Sequence, residues 1–121
     1  MARILVVDDE PDILLLHRLN LEAAGHEVLL AADGSKALQR IADDTPDLVV
    51  LDVMMPVLDG WGVLDELRLQ PEAPPVLVVS AKSSQEDIDR AISSGAVAYL
   101  AKPFNADQLL GLVARLLSDD A

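Results

Sequence analysis

The chain has 121 residues, 51% of them apolar, which suits a single domain with a substantial buried core. It contains no cysteine, so disulfides and thiolate metal sites are excluded, and no apolar run approaches the length that crosses a membrane. Its net charge of −12 would repel a phosphate backbone, so we expect no direct binding of nucleic acid by this chain.

Short apolar runs alternate with longer segments of helical spacing. Most of the short runs are nearly continuous, which is typical of strands that are covered on both faces. In chain order they predict strands at Arg3–Val7, Glu27–Ala31, Asp47–Leu51, Val76–Val79 and Val97–Leu100. The helical spacing predicts helices after each strand in turn, at Asp12–Ala24, Ser35–Asp43, Trp61–Leu69, Gln85–Ser94 and Ala106–Leu117.

Residues that begin or end helices agree with these boundaries. Pro11 stands where the first turn of a helix tolerates proline, and Gly25 follows the first predicted helix, as glycine often does. Ser83 or Ser84 is expected to cap the fourth helix. The alternation predicts an α/β fold, a doubly wound (βα)5 unit with a parallel five-stranded sheet, and one domain over residues 1–121.

Chemically active side chains follow four of the five predicted strands. Asp8 and Asp9 come after the first strand and Asp52 comes after the third. Ser80 follows the fourth strand, and Lys102 comes one residue after the fifth. Because the carboxyl ends of parallel strands lie at one edge of the sheet, we expect these residues to converge there.

Each of these residues also has an ordinary structural explanation. Asp8 and Asp9 could cap the first helix, and Asp52 could be a solvated loop acid. Ser80 could form a turn, and Lys102 could be a surface lysine. Together, however, three carboxylates in contact repel by roughly 4 kcal/mol per pair at an effective dielectric constant of about 20. Such a cluster requires neutralisation, and Mg²⁺ is the natural candidate because it prefers oxygen ligands.

Asp52 is the best-placed nucleophile in this set. It follows the third strand, which is central in the expected strand order, between the strand that carries the acidic pair and the strand that carries Ser80. A carboxylate beside Mg²⁺ and a lysine can attack a phosphoryl group and form an aspartyl phosphate. Lys102 and Ser80 would then balance the charge on the transferring group.

Four segments carry a resemblance to a known family: ILVVDDEP, LVVLDVMMPVLDGWGVL, VLVVSAK and GAVAYLAKPF. With these segments in this order, the chain resembles the receiver domain of two-component response regulators over essentially its full length. The chemotaxis receiver is a member of this family. The resemblance implies the flavodoxin-like strand order 2-1-3-4-5.

The resemblance assigns roles to the acidic residues. Asp52 is implied to be the phosphoacceptor. Asp8 and Asp9 are implied to hold Mg²⁺, directly or through water, and Asp52 and the backbone carbonyl of Met54 would be further ligands.

It also assigns roles to residues on the last two strands. Ser80 is implied to bond a phosphoryl oxygen, and Lys102 to contact the phosphoryl group. The Lys102–Pro103 peptide bond is expected to be cis, since only a bond before proline makes that isomer inexpensive. Tyr99 occupies the position of the switch aromatic residue, with ordinary core packing as the alternative.

By this resemblance the chain is a phosphorylation-dependent signalling switch in the cytoplasm. A histidine kinase or a phosphotransfer protein would supply the phosphoryl group. The chain would be no enzyme in the ordinary sense, but a phosphoacceptor that catalyses its own phosphoryl uptake and hydrolysis. Phosphorylation would change the face formed by the fourth helix, the fifth strand and the fifth helix, which partners would read.

A homodimer could form through the same face. Val97 and Ala98 stand where many DNA-binding members of the family have two acids, which argues against the charged dimer contacts of that subgroup. Leu110 and Leu117 flank the apolar stripe of the last helix, so they could form an apolar partner surface or be buried in the monomer.

Two other functions are compatible with the residues. An aspartate-nucleophile phosphatase could use the same strand, although such enzymes resemble D-x-D and the residue two positions after Asp52 is Met54. An unphosphorylated receiver-like scaffold would retain the fold alone. His17 and His26 have no partners at metal-ligand spacing, and we expect surface positions for both.

Overall fold

A computed structural model of the chain describes residues 2–53, 60–81 and 84–118. Strands and helices alternate throughout, as predicted. The strands are β1 (Arg3–Val7), β2 (Glu27–Ala31), β3 (Leu48–Asp52), β4 (Val76–Ser80) and β5 (Ala98–Ala101). The helices are α1 (Pro11–Ala23), α2 (Gly34–Asp44), α3 (Gly60–Arg68), α4 (Gln85–Ser93) and α5 (Ala106–Ser118).

The strands form one parallel sheet in the order β2-β1-β3-β4-β5, which confirms the predicted fold class and strand order. Strands β1, β3 and β4 lie in the interior of the sheet, and their residues are buried almost without exception. In the register, Asp52 pairs with Val79, and Ser80 pairs with Ala101. The carboxyl ends of β3, β4 and β5 therefore lie side by side.

Alternate strand residues enter two separate cores, one on each face of the sheet. Leu5, Leu51 and Val78 point to the first core, which α2, α3 and α4 cover. Val6 and Val50 point to the second core, which α1 and α5 cover. This arrangement follows from the period of two along a strand and from the crossover helices on both faces.

Helix caps agree closely with the sequence prediction. Pro11 opens α1, and the Ser84 hydroxyl accepts a hydrogen bond from the backbone N–H of Asp87 at the start of α4.

Strands β3 and β4 each extend one residue beyond the predicted end, so Asp52 and Ser80 are the last residues of strands rather than loop residues.

The apolar side chains of α5 settle one alternative. Leu110 and Leu117 are partly buried and pack against the second core, which favours burial in the monomer over an exposed partner surface. Among the described residues, no helix is both long enough and apolar enough to span a membrane.

Candidate functional site

The Lys102 ammonium bridges two buried carboxylates at the carboxyl edge of the sheet. Its Nζ lies 3.0 Å from Oδ2 of Asp52 and 3.4 Å from Oδ2 of Asp8. The two aspartate side chains are 9% and 3% exposed, while that of Lys102 is 26% exposed. Three residues that are far apart in the sequence thus form one ion cluster, and the ammonium offsets part of the carboxylate repulsion.

Asp8 is held in place by the segment that joins β1 to α1. Its Oδ1 accepts a hydrogen bond of 3.0 Å from the backbone N–H of Glu10, and its own N–H donates to the carbonyl oxygen of Ala31. The capping explanation for the acidic pair is not supported, because the N-cap residue of α1 is Glu10 and no side chain caps the helix. The other carboxylate oxygen of Asp8 faces Lys102.

The ends of β4 and β5 are joined beside this cluster. The backbone N–H of Lys102 donates a hydrogen bond of 2.8 Å to the carbonyl oxygen of Ser80, whose side chain is fully buried. The peptide bond between Lys102 and Pro103 is cis. Tyr99, on β5, is partly buried and packs against the first core.

Three acidic side chains offer oxygen ligands for a cation. One carboxylate oxygen from each of Asp8, Asp9 and Glu10 can be chosen so that all three lie within 4.8 Å of one another. Asp8 is buried and the other two are exposed, so the cluster opens to solvent. A set of carboxylate oxygens with room for water fits Mg²⁺. The predicted ligand Met54 lies outside the described residues.

Glu10 is an addition that the sequence reasoning missed. The sequence did contain a signal, because Glu10 directly follows the acidic pair. The Asp8 carboxylate accepts the backbone N–H of Glu10, and the Glu10 side chain lies within reach of the acidic pair.

The charges around Lys102 keep its side chain protonated. Burial by itself lowers the pKa of Lys102, but the hydrogen bond and charge of Asp52 and those of Asp8 outweigh it and raise the pKa above the ordinary lysine value. The cluster therefore contains a full ammonium at neutral pH, which stabilises ionised carboxylates beside it.

The prediction of a surface position was wrong for His17. This residue is 6% exposed, and its ring stacks on Phe104 with a centroid distance of 5.6 Å and an interplanar angle of 16°. Its Nδ1 is buried and has no hydrogen-bond partner among the described residues. His26 is partly buried, and within residues 2–53, 60–81 and 84–118 its buried Nδ1 likewise meets no partner.

The helical spacing of α1 could have revealed that His17 is buried. Leu14, His17 and Leu21 are spaced as one face of a helix, and all three are buried. Burial lowers the pKa of His17, the Asp8 carboxylate opposes this effect, and the Lys102 cation adds to it. The net pKa lies below the ordinary histidine value, so the ring is neutral at pH 7.

Comparison with known proteins agrees with the geometry. The sequence profile of the response regulator receiver domain matches residues 4–114. The chain is 44% identical over 115 residues to the transcriptional regulatory protein PrrA of Mycobacterium tuberculosis, covering 95% of this chain and 49% of that protein. It is 42% identical over 115 residues to the alkaline phosphatase synthesis transcriptional regulatory protein PhoP of Bacillus subtilis, covering 95% of this chain and 48% of that protein.

The chain thus spans about half the length of these curated relatives. Among solved structures, the receiver domain of the Francisella response regulator 1452 superimposes with a TM-score of 0.95 at 36% identity, and the match covers 100% of both chains. The sequence profile, the relatives and the fold agree over nearly the whole chain. The chain therefore belongs to the family of receiver domains of two-component response regulators.

Proposed function

We propose that this receiver domain is a phosphorylation-dependent switch whose phosphoacceptor is Asp52, and that residues 1–121 act as one such domain. A histidine kinase or a phosphotransfer protein would supply the phosphoryl group in the cytoplasm, where ATP-derived donors are found. The observation that carries the proposal is the buried Asp52 carboxylate at the open edge of the sheet, 3.0 Å from the Lys102 ammonium and joined through it to Asp8.

Phosphoryl transfer would proceed by attack of an Asp52 carboxylate oxygen on the phosphorus of the donor. One P–O bond forms as the P–N bond of the donor phosphohistidine breaks, and the departing imidazole keeps the electron pair and takes a proton. Lys102 holds the nucleophile in place before the transfer and can then contact the phosphoryl oxygens. Attack of water on the phosphorus would then break the P–O bond to Asp52 and release inorganic phosphate and the free carboxylate, so the switch resets itself.

Mg²⁺ fits the acidic end of the same site. Asp8 and Asp9 would hold it, with Glu10 within reach and with Asp52 and the Met54 carbonyl as the ligands that the family resemblance implies. Bound Mg²⁺ would neutralise part of the charge on the carboxylates and on the transferring phosphoryl oxygens.

The switch would act through the joined ends of β4 and β5. A phosphoryl group on Asp52 adds nearly two negative charges and three acceptor oxygens. Ser80 pairs with Ala101 and its carbonyl oxygen holds the N–H of Lys102, so a shift of Ser80 towards the phosphoryl group also pulls on β5, which carries Tyr99. The face formed by α4, β5 and α5 would change, and partners or a second copy of the chain would read it.

Trp61 offers a direct test. It is the only tryptophan, and the guanidinium of Arg90 lies 4.0 Å from its ring centroid, so it reports contact between α3 and α4. We expect Mg²⁺ and then beryllofluoride or a small phosphodonor to change its fluorescence in two steps. Asp52→Asn should abolish the second step, because the nucleophilic oxygen pair is lost. Intact mass measurement should show phosphoryl uptake by the wild type alone.

Asp43→Asn is a matched control, because Asp43 is an exposed acid on α2 and the change removes the same charge. It should respond like the wild type. An Asp52→Asn variant that still gave the second step would refute the phosphoacceptor assignment. Steady turnover of an unrelated phosphoester would favour the phosphatase, and a wild type that takes up no phosphoryl group would favour the scaffold.

A further inference from the structure

His17 takes no part in the proposed phosphoryl transfer, yet it lies beside the site. A small pocket of about 250 Å³ opens between α1 and the segment after β5. Its lining is mostly apolar and includes the side chain that holds Asp52 in place. The lining residues are Ile13, Leu16, His17, Lys102, Pro103 and Phe104. The ring of His17 and the stem of Lys102 therefore border one space.

The stack between His17 and Phe104 ties α1 to this segment. Phe104 comes two residues after Lys102, and its ring lies almost parallel to that of His17, at 16°. On the other side of Lys102, the backbone is fixed by its hydrogen bond to Ser80. The segment that carries Lys102 is thus held at two points: by the hydrogen bond of Lys102 to Ser80 and by the stack of Phe104 on His17.

We propose that His17 is a positioning residue for phosphoryl transfer: its ring, stacked on Phe104, holds the segment after β5 so that Lys102 reaches both Asp52 and Asp8. The proposal rests on the proposed function of Asp52. Without the ring, Phe104 can move into the space that His17 leaves, and the lysine stem loses one wall of its pocket. The ammonium would then spend less time between the two carboxylates.

A neutral ring suits this position. The charged groups that act on His17 are Asp8, at the end of β1, and Lys102, after β5. A second cation here would compete with Lys102 for Asp8. Burial, which is the largest effect, and the nearby Lys102 ammonium hold the pKa of His17 below its ordinary value in spite of Asp8, so the ring provides packing without adding a charge.

Three variants distinguish the effect of ring stacking from the effects of side-chain volume and of the ring nitrogens. His17→Ala removes the ring, His17→Leu keeps a similar volume without a ring, and His17→Phe keeps a ring without nitrogens. The first readout is the pKa of Lys102, followed by NMR through its Cε chemical shift. We expect it to fall towards the ordinary lysine value in the alanine and leucine variants and to stay raised in the phenylalanine variant.

The second readout is the rate of Asp52 phosphorylation at increasing phosphodonor concentration. We expect the maximal rate to fall about tenfold in His17→Ala, because small misplacements at a reacting group are costly, and to recover in His17→Phe. Leu19→Ala, at a side chain that is 56% exposed on the same helix, should behave like the wild type.

Two results would overturn the inference. One is an unchanged Lys102 pKa and an unchanged rate in both His17→Ala and His17→Leu, whatever happens to their stability. The other is a His17→Phe variant that fails as His17→Ala does. If the wild type itself took up no phosphoryl group, the proposed function would fail, and the Lys102 titration would still decide the role of His17. If His17→Ala did not fold, His17→Leu would carry the test.

Discussion

A single ammonium at Lys102 contacts two carboxylates that are almost fully buried. Two buried acids without a counter-ion would cost several kcal/mol, because burial and mutual repulsion both disfavour their charged forms. Lys102 removes much of this cost before any metal or phosphoryl group binds. Under the proposed function, the residue that stabilises the resting site is also the one that would later contact the phosphoryl oxygens.

The lowered pKa of His17 predicts that the stability of the domain depends on pH in mild acid. The unfolded chain protonates this histidine as the pH falls through about 6.5, whereas the folded chain does so only at lower pH. The unfolded state then binds more protons, so the contribution of His17 to the free energy of unfolding falls as the pH is lowered through this window. Above the window this contribution is constant. Urea unfolding of the wild type and of His17→Leu at several pH values measures the effect. The wild type should lose more stability between pH 7 and pH 5.

The carboxylates titrate in both proteins, so the difference between the two pH profiles isolates the histidine. Parallel profiles would contradict the lowered pKa of His17. If the wild type gained stability in acid relative to His17→Leu, the pKa of His17 would be raised in the folded chain instead of lowered.

At the scale of elements, α3 approaches the end of β3 unusually closely at Gly60. Its backbone N–H lies 3.3 Å from the carbonyl oxygen of Val53, and a Cβ at this position would lie 2.8 Å from the carbonyl oxygen of Asp52 and would also collide with the Val53 backbone. Only glycine lets the helix begin directly behind Asp52. The position of Asp52 thus depends on the lack of a Cβ at Gly60, the first residue of α3.

Gly60→Ala is expected to destabilise the domain by about 1–3 kcal/mol, because one of the two backbones must shift. Urea unfolding followed by circular dichroism measures this loss. Gly111→Ala is the matched control, since no atom lies within 4 Å of its added Cβ and it is on the helix α5. The control should gain up to about 1 kcal/mol from helix propensity. Equal effects of the two variants would show that close approach is not the reason for Gly60.

The order and type of the elements could be predicted because strand and helix periods are local properties of the sequence. Small errors came at positions where burial decides: β5 begins after Val97, whose side chain is 49% exposed. The convergence of Asp8, Asp52 and Lys102 followed from the parallel sheet. The helical spacing of α1 pointed to the burial of His17, whereas its stack on Phe104 could not be predicted, because Phe104 is distant in the sequence and meets α1 only in the folded chain.

For the whole molecule, a net charge of −12 favours binding of cations, and the cluster of Asp8, Asp9 and Glu10 is the place where we propose that Mg²⁺ binds. A ligand that binds only the folded state raises the free energy of unfolding, by about 2.7 kcal/mol at a concentration one hundred times its dissociation constant. We expect Mg²⁺ to raise the Tm of the wild type and to raise it much less in Asp9→Asn.

Asp43→Asn again serves as the charge-matched control, and its Tm should rise with Mg²⁺ as that of the wild type does. Na⁺ at equal ionic strength separates screening from binding. An equal Mg²⁺ response in all three proteins would refute the assignment of the cation to the cluster.

The contact between Asp8 and Lys102 joins residues that are 94 positions apart, near the two ends of the described chain. During synthesis on a ribosome, β1 and β3 emerge long before the lysine that balances their acids. A nascent chain that ends before β5 therefore carries repelling carboxylates at its sheet edge, and arrival of the last strand supplies both the edge of the sheet and the missing positive charge. Pairing of β5 with β4 thus completes both the sheet and the charge balance at its carboxyl edge.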